Sequence, residues 1–183
     1  TLTLDVRLQD GFADLVREVR AMERQRSNIP ARLLDVRARM AQALGLADER
    51  LPFAGELLQV RADQAAWQGA IERVLGGFAR ALLVDDRHYA AVTAWLEDND
   101  TGERLFYNRM LPQAAAVRAP GPSSLVRKLD IAPGLAAPLA DWLRAELAMH
   151  FDFECADTLA AFRAAGRAVT RQGQIKRDGS RHE

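Results

Sequence analysis

One pattern of apolar spacing occurs twice in this chain. The first copy opens at Leu57-Leu58-Gln59-Val60, continues through an amphipathic stretch from Trp67 to Phe78, and adds a second stretch ending near Leu96. The second copy opens at Leu125-Val126, runs through Leu135 to Leu147, and ends its matching stretch near Phe162. Ile71, Val74 and Leu75 fall in line with Leu139, Trp142 and Leu143. After a one-residue slip, Val92 and Trp95 fall in line with Leu159 and Phe162. Each copy closes on a β-prone segment, Arg104-Leu105-Phe106-Tyr107 and Ala168-Val169-Thr170-Arg171. A repeat of this length predicts a two-lobed α/β domain in which one supersecondary unit is used twice. The copies share few identical residues, so the match is one of apolar period.

The rest of the sequence bounds what such a domain can do. Its 183 residues fit one domain, or one domain with an appendage. With 49% apolar residues the chain can build a packed core. The 25 basic and 25 acidic residues cancel, which excludes a surface that is basic throughout but leaves room for a local basic patch. A single cysteine, Cys155, excludes an internal disulfide and fits a reducing, cytoplasmic compartment. Its apolar neighbours mark it as a buried structural thiol. No stretch is apolar and long enough to span a bilayer, and no signal peptide is visible. The chain does not start with methionine, and it reads as a piece of a longer protein.

The first 45 residues differ in character. Leu15, Met22, Ile29 and Val36 recur every seven residues, interleaved with Val19, Arg26, Leu33 and Met40. This is a heptad seam with one charged core position. Ser27-Asn28-Ile29-Pro30 breaks it. Ser27 or Asn28 can cap a new helix, and Pro30 is tolerated in a first turn. The pattern predicts a helix to about Arg26, a joint at 27–30, and a second helix from Pro30 to about Leu44, with Gly45 as the stop. Two readings stay open: a helical hairpin packed on the domain, or the end of a coiled-coil arm entering a globular head.

Beyond Gly45 the expected order is a strand at 55–60, a helix at 64–78, a buried strand at 81–84, a helix at 88–98 and a strand at 105–110. The Pro/Ala/Gly-rich segment 112–124 is the expected linker. Helices near 138–149 and 156–165 follow, then a hairpin of 168–170 and 174–176 around Gln172-Gly173. The domain division is therefore a helical coiled-coil stub at 1–45, a first lobe at 46–111, a linker at 112–124 and a second lobe at 125–183.

Catalytic signatures are missing. There is no GxxxxGK[ST] phosphate loop and no GxGxxG after a strand. His88, His150 and His182 lie apart, without metal-ligand spacing. The carboxylate pairs Asp85-Asp86 and Glu97-Asp98 suit helix ends. Neither a catalytic residue, nor a metal site, nor a cofactor is expected. Arg127 and Lys128 open the second copy, and Arg171, Lys176, Arg177 and Arg181 crowd the closing segment. They form either a solvated face or a patch for nucleic-acid phosphates. No aromatics interleave with them, so base stacking is not indicated.

Particular segments carry a family resemblance. Residues 51–60, LPFAGELLQV, then 67–75, WQGAIERVL, then 81–84, ALLV, resemble the first lobe of an SMC hinge domain. The closing segment 167–176, RAVTRQGQIK, is similar to the hinge's last hairpin. Residues 27–32 and 170–183 resemble most the MksB/JetC branch, the SMC-like ATPases of MukBEF-like and Wadjet systems. One departure is that only Gly173 and Gly179 stand where common hinges carry several glycines at the dimer contact.

The resemblance implies an α/β fold of two pseudo-repeated lobes with small mixed sheets and flanking helices. It implies a hinge that dimerises and joins two coiled-coil arms of an ATPase whose head lies elsewhere in the parent protein. Such a complex encloses or moves DNA, in chromosome segregation or plasmid defence, with kleisin-type and associated subunits bound elsewhere and the whole associated with the nucleoid. The implied homodimer interface comprises Arg104, Leu105, Phe106, Tyr107 and Asn108 of one copy against Val169, Thr170, Gly173, Gln174 and Ile175 of another. These are the unpaired strand edges expected at equivalent ends of the repeat. Weak, non-specific DNA contact is expected from Arg127, Lys128, Arg171, Lys176, Arg177 and Arg181. The alternative is a nucleic-acid-binding module with no dimerisation role.

Overall fold

The computed structural model describes residues 2–113 and 116–183, with the backbone alone for residues 2, 18 and 21–27. Helix α1 (Leu2–Ser27) and helix α2 (Ala31–Leu44) meet at the expected joint. The cap differs from expectation. Pro30 itself holds the N-cap position at φ −54° and ψ 135°, with no side-chain cap, and its carbonyl accepts from Leu33 N and Leu34 N. Its missing N–H and its ring stop α1, and its C=O starts α2. Gly45 ends α2 at φ 65°, while Leu46 N donates to Ala41 O in a Schellman-type closure.

The heptad stripe has two fates. On α1, Leu8, Phe12, Leu15 and Val19 are exposed. On α2 the same stripe is buried: Leu33, Val36 and Met40, with Ile29 at the joint. Leu33, Met40 and Ile29 pack with Phe53, Leu82, Val84 and Val92. Helix α2 thus belongs to the globular body and not to a stub, because the turn at Pro30 lays the stripe onto that core.

The repeat appears as one element order used twice. The first copy is β1 (Leu58–Val60), α3 (Gln68–Leu75), β2 (Leu82–Asp85), α4 (Asp86–Asp98) and β3 (Tyr107–Met110). The second is β4 (Leu129–Ile131), α5 (Ala137–His150), β5 (Glu154–Ala156), α6 (Leu159–Ala164) and β6 (Ala168–Thr170), followed by β7 (Ile175–Lys176). In each copy the second and third strands pair in parallel, β2 with β3 and β5 with β6. The first strands pair with each other, antiparallel, with Gln59 opposite Asp130. Strand β7 adds antiparallel to β6 around Gly173 at φ 90°.

Several boundaries move for physical reasons. The expected strand at 55–60 is extended only at 58–60, because 54–57 forms a 3-10 turn in which the Glu56 carboxylate accepts from Phe53 N at 2.9 Å. The expected helix at 64–78 is α-helical only at 68–75. Gln64 breaks its start, and Gly76, at φ 46° and ψ −125°, ends it. The helix expected at 156–165 starts at Leu159, and 154–156 is a strand too short to show alternation. Val92 and Phe162 are the buried residues of α4 and α6, whereas Leu159 is 52% exposed and Trp95 half-buried. The alignment of Val92 with Leu159 therefore fails. Helix α4 follows β2 directly, whereas α6 begins three residues after β5, which changes the face each helix presents.

The largest core cluster draws on both copies. It contains Leu57, Leu58, Trp67, Ile71, Val74, Leu75 and Leu83 with Leu125, Trp142, Leu143, Leu147, Phe153, Val169 and Ile175. The α3/α5 alignment holds here, since Ile71, Val74, Leu75, Trp142 and Leu143 are all buried and Leu139 packs against them.

Candidate dimer interface

Strand β3 ends the first copy and pairs only with β2 among the described residues, so its other edge is open. Leu82 N donates to Phe106 O, so the backbone groups of Phe106 face β2. Alternation along the ladder then turns those of Tyr107 and Arg109 to the open side. Phe106, Tyr107 and Leu111 are exposed around this edge. Arg104 lies over the Phe106 ring at 4.9 Å, and Arg109 lies over Tyr89 at 4.2 Å while donating to Asp86 at 2.6 Å. Leu105 turns inward against the α2–α4 core, and Asn108 is half-buried. The structure thus places Arg104, Phe106, Tyr107 and Asn108 together at one edge, with Leu105 behind it.

In the second copy the expectation fails. Strand β6 is central, flanked by β5 and β7. Val169, Thr170 and Ile175 are 0%, 6% and 2% exposed, and Gly173 is buried. Only Gln174 of the expected set is exposed, and its N–H is held by Thr170 Oγ1 at 3.1 Å. These residues serve the core and the hairpin turn, so they are not a free edge.

Among the described residues the outer edge of this sheet is 181–183, which sequence reasoning missed. Ile175 N donates to Glu183 O at 3.0 Å, Glu183 N to Ile175 O at 2.9 Å, and Arg177 N to Arg181 O at 2.9 Å. His182 lies opposite Lys176, and the alternation turns its own backbone groups outward. Asp178 makes the return possible. Its Oδ1 accepts from Ser180 N and Arg181 N, each at 2.8 Å, and from Ser180 Oγ at 3.0 Å. These bonds, the one from Ser180 N foremost, lower its carboxyl from 3.8 to about 2. The Glu183 carboxyl is likewise lowered, by its bond from Arg177. The available signal was Asp178-Gly179-Ser180, a turn sequence.

Most of the basic residues singled out in the sequence are engaged within the chain. Arg127 donates to Gly121 O at 2.9 Å and Pro120 O at 2.8 Å, tying down the linker. Lys176 is 8% exposed, and its Nζ donates to Arg163 O at 2.8 Å, which removes it from any phosphate surface. Arg177 pairs with Glu183, and Arg181 is exposed next to Asp178 and Glu183. Lys128 and Arg171 converge on Trp67, at 5.5 and 5.3 Å from its ring centroid. Lys128 also bonds Gln64 at 2.8 Å, and Arg171 bonds Asp157 at 3.2 Å.

Burial pushes the Cys155 thiol from 9.0 to about 11, which keeps it protonated and unreactive at neutral pH. Among the described residues no three His, Cys, Asp or Glu side chains gather as a metal site, and no helix is long and apolar enough to cross a membrane.

No protein-family model matches the sequence, and no curated protein matches it either. Solved structures do match. The Pyrococcus furiosus SMC protein hinge domain aligns with a TM-score of 0.60 at 17% identity, over 91% of this chain and 86% of that one. The P. furiosus Smc hinge domain with an extended coiled coil aligns at 0.57 and 18% identity, over 100% and 67%. An asymmetric dimer of the Geobacillus stearothermophilus SMC hinge domain aligns at 0.51 and 17% identity, over 100% and 81%. The small sheets, the doubled β-α-β-α-β order and the leading helix of this chain are therefore the fold of an SMC hinge domain.

Proposed function

We propose that this chain is a dimerisation hinge that joins two coiled-coil arms of an SMC-like ATPase. The observation that carries the reading is a hinge fold with a strand edge at the end of each copy that is open among the described residues. An unpaired edge is a liability unless another strand covers it. The edge of β3 meets 181–183 of a second chain, and the reciprocal contact closes a two-fold ring. The exposed seam of α1, Leu8, Phe12, Leu15 and Val19, is the arm's side of a coiled coil. Two solved hinges with the same fold support this, one carrying an extended coiled coil and one forming a dimer.

The parent complex encloses or moves DNA, in chromosome segregation or plasmid defence, with its ATPase head and kleisin-type subunits outside this segment. Segments 27–32 and 170–183 are the support for the MksB/JetC branch.

Sedimentation at tens of micromolar tests the dimer. A mass twice the 20.3 kDa of one chain is expected, and a 20.3 kDa particle throughout would reject the reading. Tyr107→Pro removes an outward donor while leaving the bonds to β2 intact, and is expected to yield folded monomers.

A second reading, direct DNA contact, draws on the convergence of Lys128 and Arg171 at Trp67. Two phosphate contacts give a log–log salt slope of about −2 on duplex DNA. A parent-like slope in Arg171→Glu would remove that reading.

A further inference from the structure

We infer that Arg73 and Arg171 are positioning residues that set the angle between the two dimerising edges, and so decide whether the ring closes. The inference rests on the dimer reading above. Among the contacts that lock the copies together beyond the β1–β4 ladder and the shared core, two hold the closing hairpin. Trp67, at the end of the 62–67 turn in the first copy, is 3% exposed. Its ring is held by two cations from the second copy, Lys128 just before β4 and Arg171 just after β6. Arg73, on α3 of the first copy, lies against the turn between β6 and β7. Its Nη1 donates to Gly173 O at 3.4 Å, and a Cβ on Gly173 would stand 3.0 Å from its Cδ. Both contacts grip the turn of the same hairpin, at Arg171 and at Gly173 two residues on.

That hairpin carries the second edge. Ile175 in β7 and Arg177 just after it hold 181–183 through three backbone bonds, so a tilt of the hairpin tilts the edge with it. The first edge, β3, belongs to the opposite copy through β2. In a two-fold ring each chain offers β3 to its partner's 181–183 and receives the converse. This head-to-tail contact closes into a dimer only at one angle, and at other angles it propagates into open chains. Closure also makes the second contact intramolecular, which strengthens the dimer by about 100-fold or more. Arg73 and Arg171 touch neither edge and act only through the angle. Arg73 and Arg171 are both exposed, so truncating them leaves the buried core in place.

The test compares the parent with Arg73→Ala/Arg171→Ala by sedimentation velocity over a concentration series. The parent is expected as a closed dimer. The double variant is expected to melt near the parent yet to dissociate about 100-fold more readily, and to form trimers and longer chains at high concentration. Arg73→Lys/Arg171→Lys, which keeps a donor for Gly173 O and a cation over Trp67, is expected to restore the closed dimer. Tyr107→Pro serves as the contrast, giving monomers at every concentration. A double alanine variant that remains a closed dimer with parental affinity overturns this inference alone. A parent that is monomeric throughout overturns the dimer reading and this inference with it.

Discussion

At the scale of single residues, Trp142 and Arg37 are both buried, but only one of them was legible in the sequence. Trp142 is 8% exposed on α5 and packs in the core shared by both copies. Its core role was legible, because helical spacing set it in line with Val74. Trp142→Ala is expected to cost about 3–5 kcal/mol, read as a fall in the urea midpoint. A parental midpoint would contradict its burial. Arg37 was not legible, since it sits in an arginine-rich helix and its partner is distant in sequence. Its guanidinium meets Glu56 in a fork, with Nη2 to Oε2 at 3.1 Å, and stacks over Phe53 at 5.1 Å. Arg37 is 5% exposed, and the Glu56 side chain 11%. Glu56→Ala strands a buried guanidinium and is expected to cost about 3–5 kcal/mol. Asp35→Ala, which breaks the exposed pair with Arg39, is expected to cost 1 kcal/mol or less. Equal losses in the two variants would show that the Arg37–Glu56 pair is not a buried clamp.

At the scale of elements, the closing turn has a pH dependence of fixed sign. Asp178 titrates near 3.8 when free and near 2 when its carboxylate holds Ser180 and Arg181. Folding therefore favours the ionised form. The contribution is complete above pH 3.8 and disappears as pH falls through about 2. Protection of the Glu183 amide, bonded to Ile175 O, is expected to persist to pH 3 and to be lost toward pH 2. Loss with a midpoint at 3.8 would mean that the Asp178 turn does not hold 181–183. This edge could not be found by looking for alternation, because its ladder is only three residues long and depends on a turn made by one carboxylate. The hairpin of β6 and β7 was legible from Gly173. Its role was not, because a strand's apolar pattern does not say whether both of its edges are already occupied. Strand β3 was legible as an element, since it follows a polar turn, and among the described residues only β2 pairs with it.

At the scale of the whole molecule, the repeat predicted the architecture but not how its halves combine. Apolar spacing marked α3 and α5 correctly, because both bury one face in the same core. It did not announce that β1 and β4 would pair across the copies, since each strand is only three residues long. That ladder and the common core make the two copies one cooperative body, despite the linker between them. Leu125 from the second copy and Ile71 from the first are each 0% exposed within one cluster, so neither half can bury its apolar face alone. Thermal unfolding is therefore expected as a single two-state transition for 29–183, with calorimetric and van't Hoff enthalpies equal. Helix α1, whose seam is exposed, is expected to exchange its amides well before that transition. Separately produced 29–111 and 125–183 are each expected to lack fixed near-ultraviolet circular dichroism and to regain it on mixing. Two resolved transitions, or a half that folds alone, would show that the copies are independent units and that the shared core is a contact between finished domains.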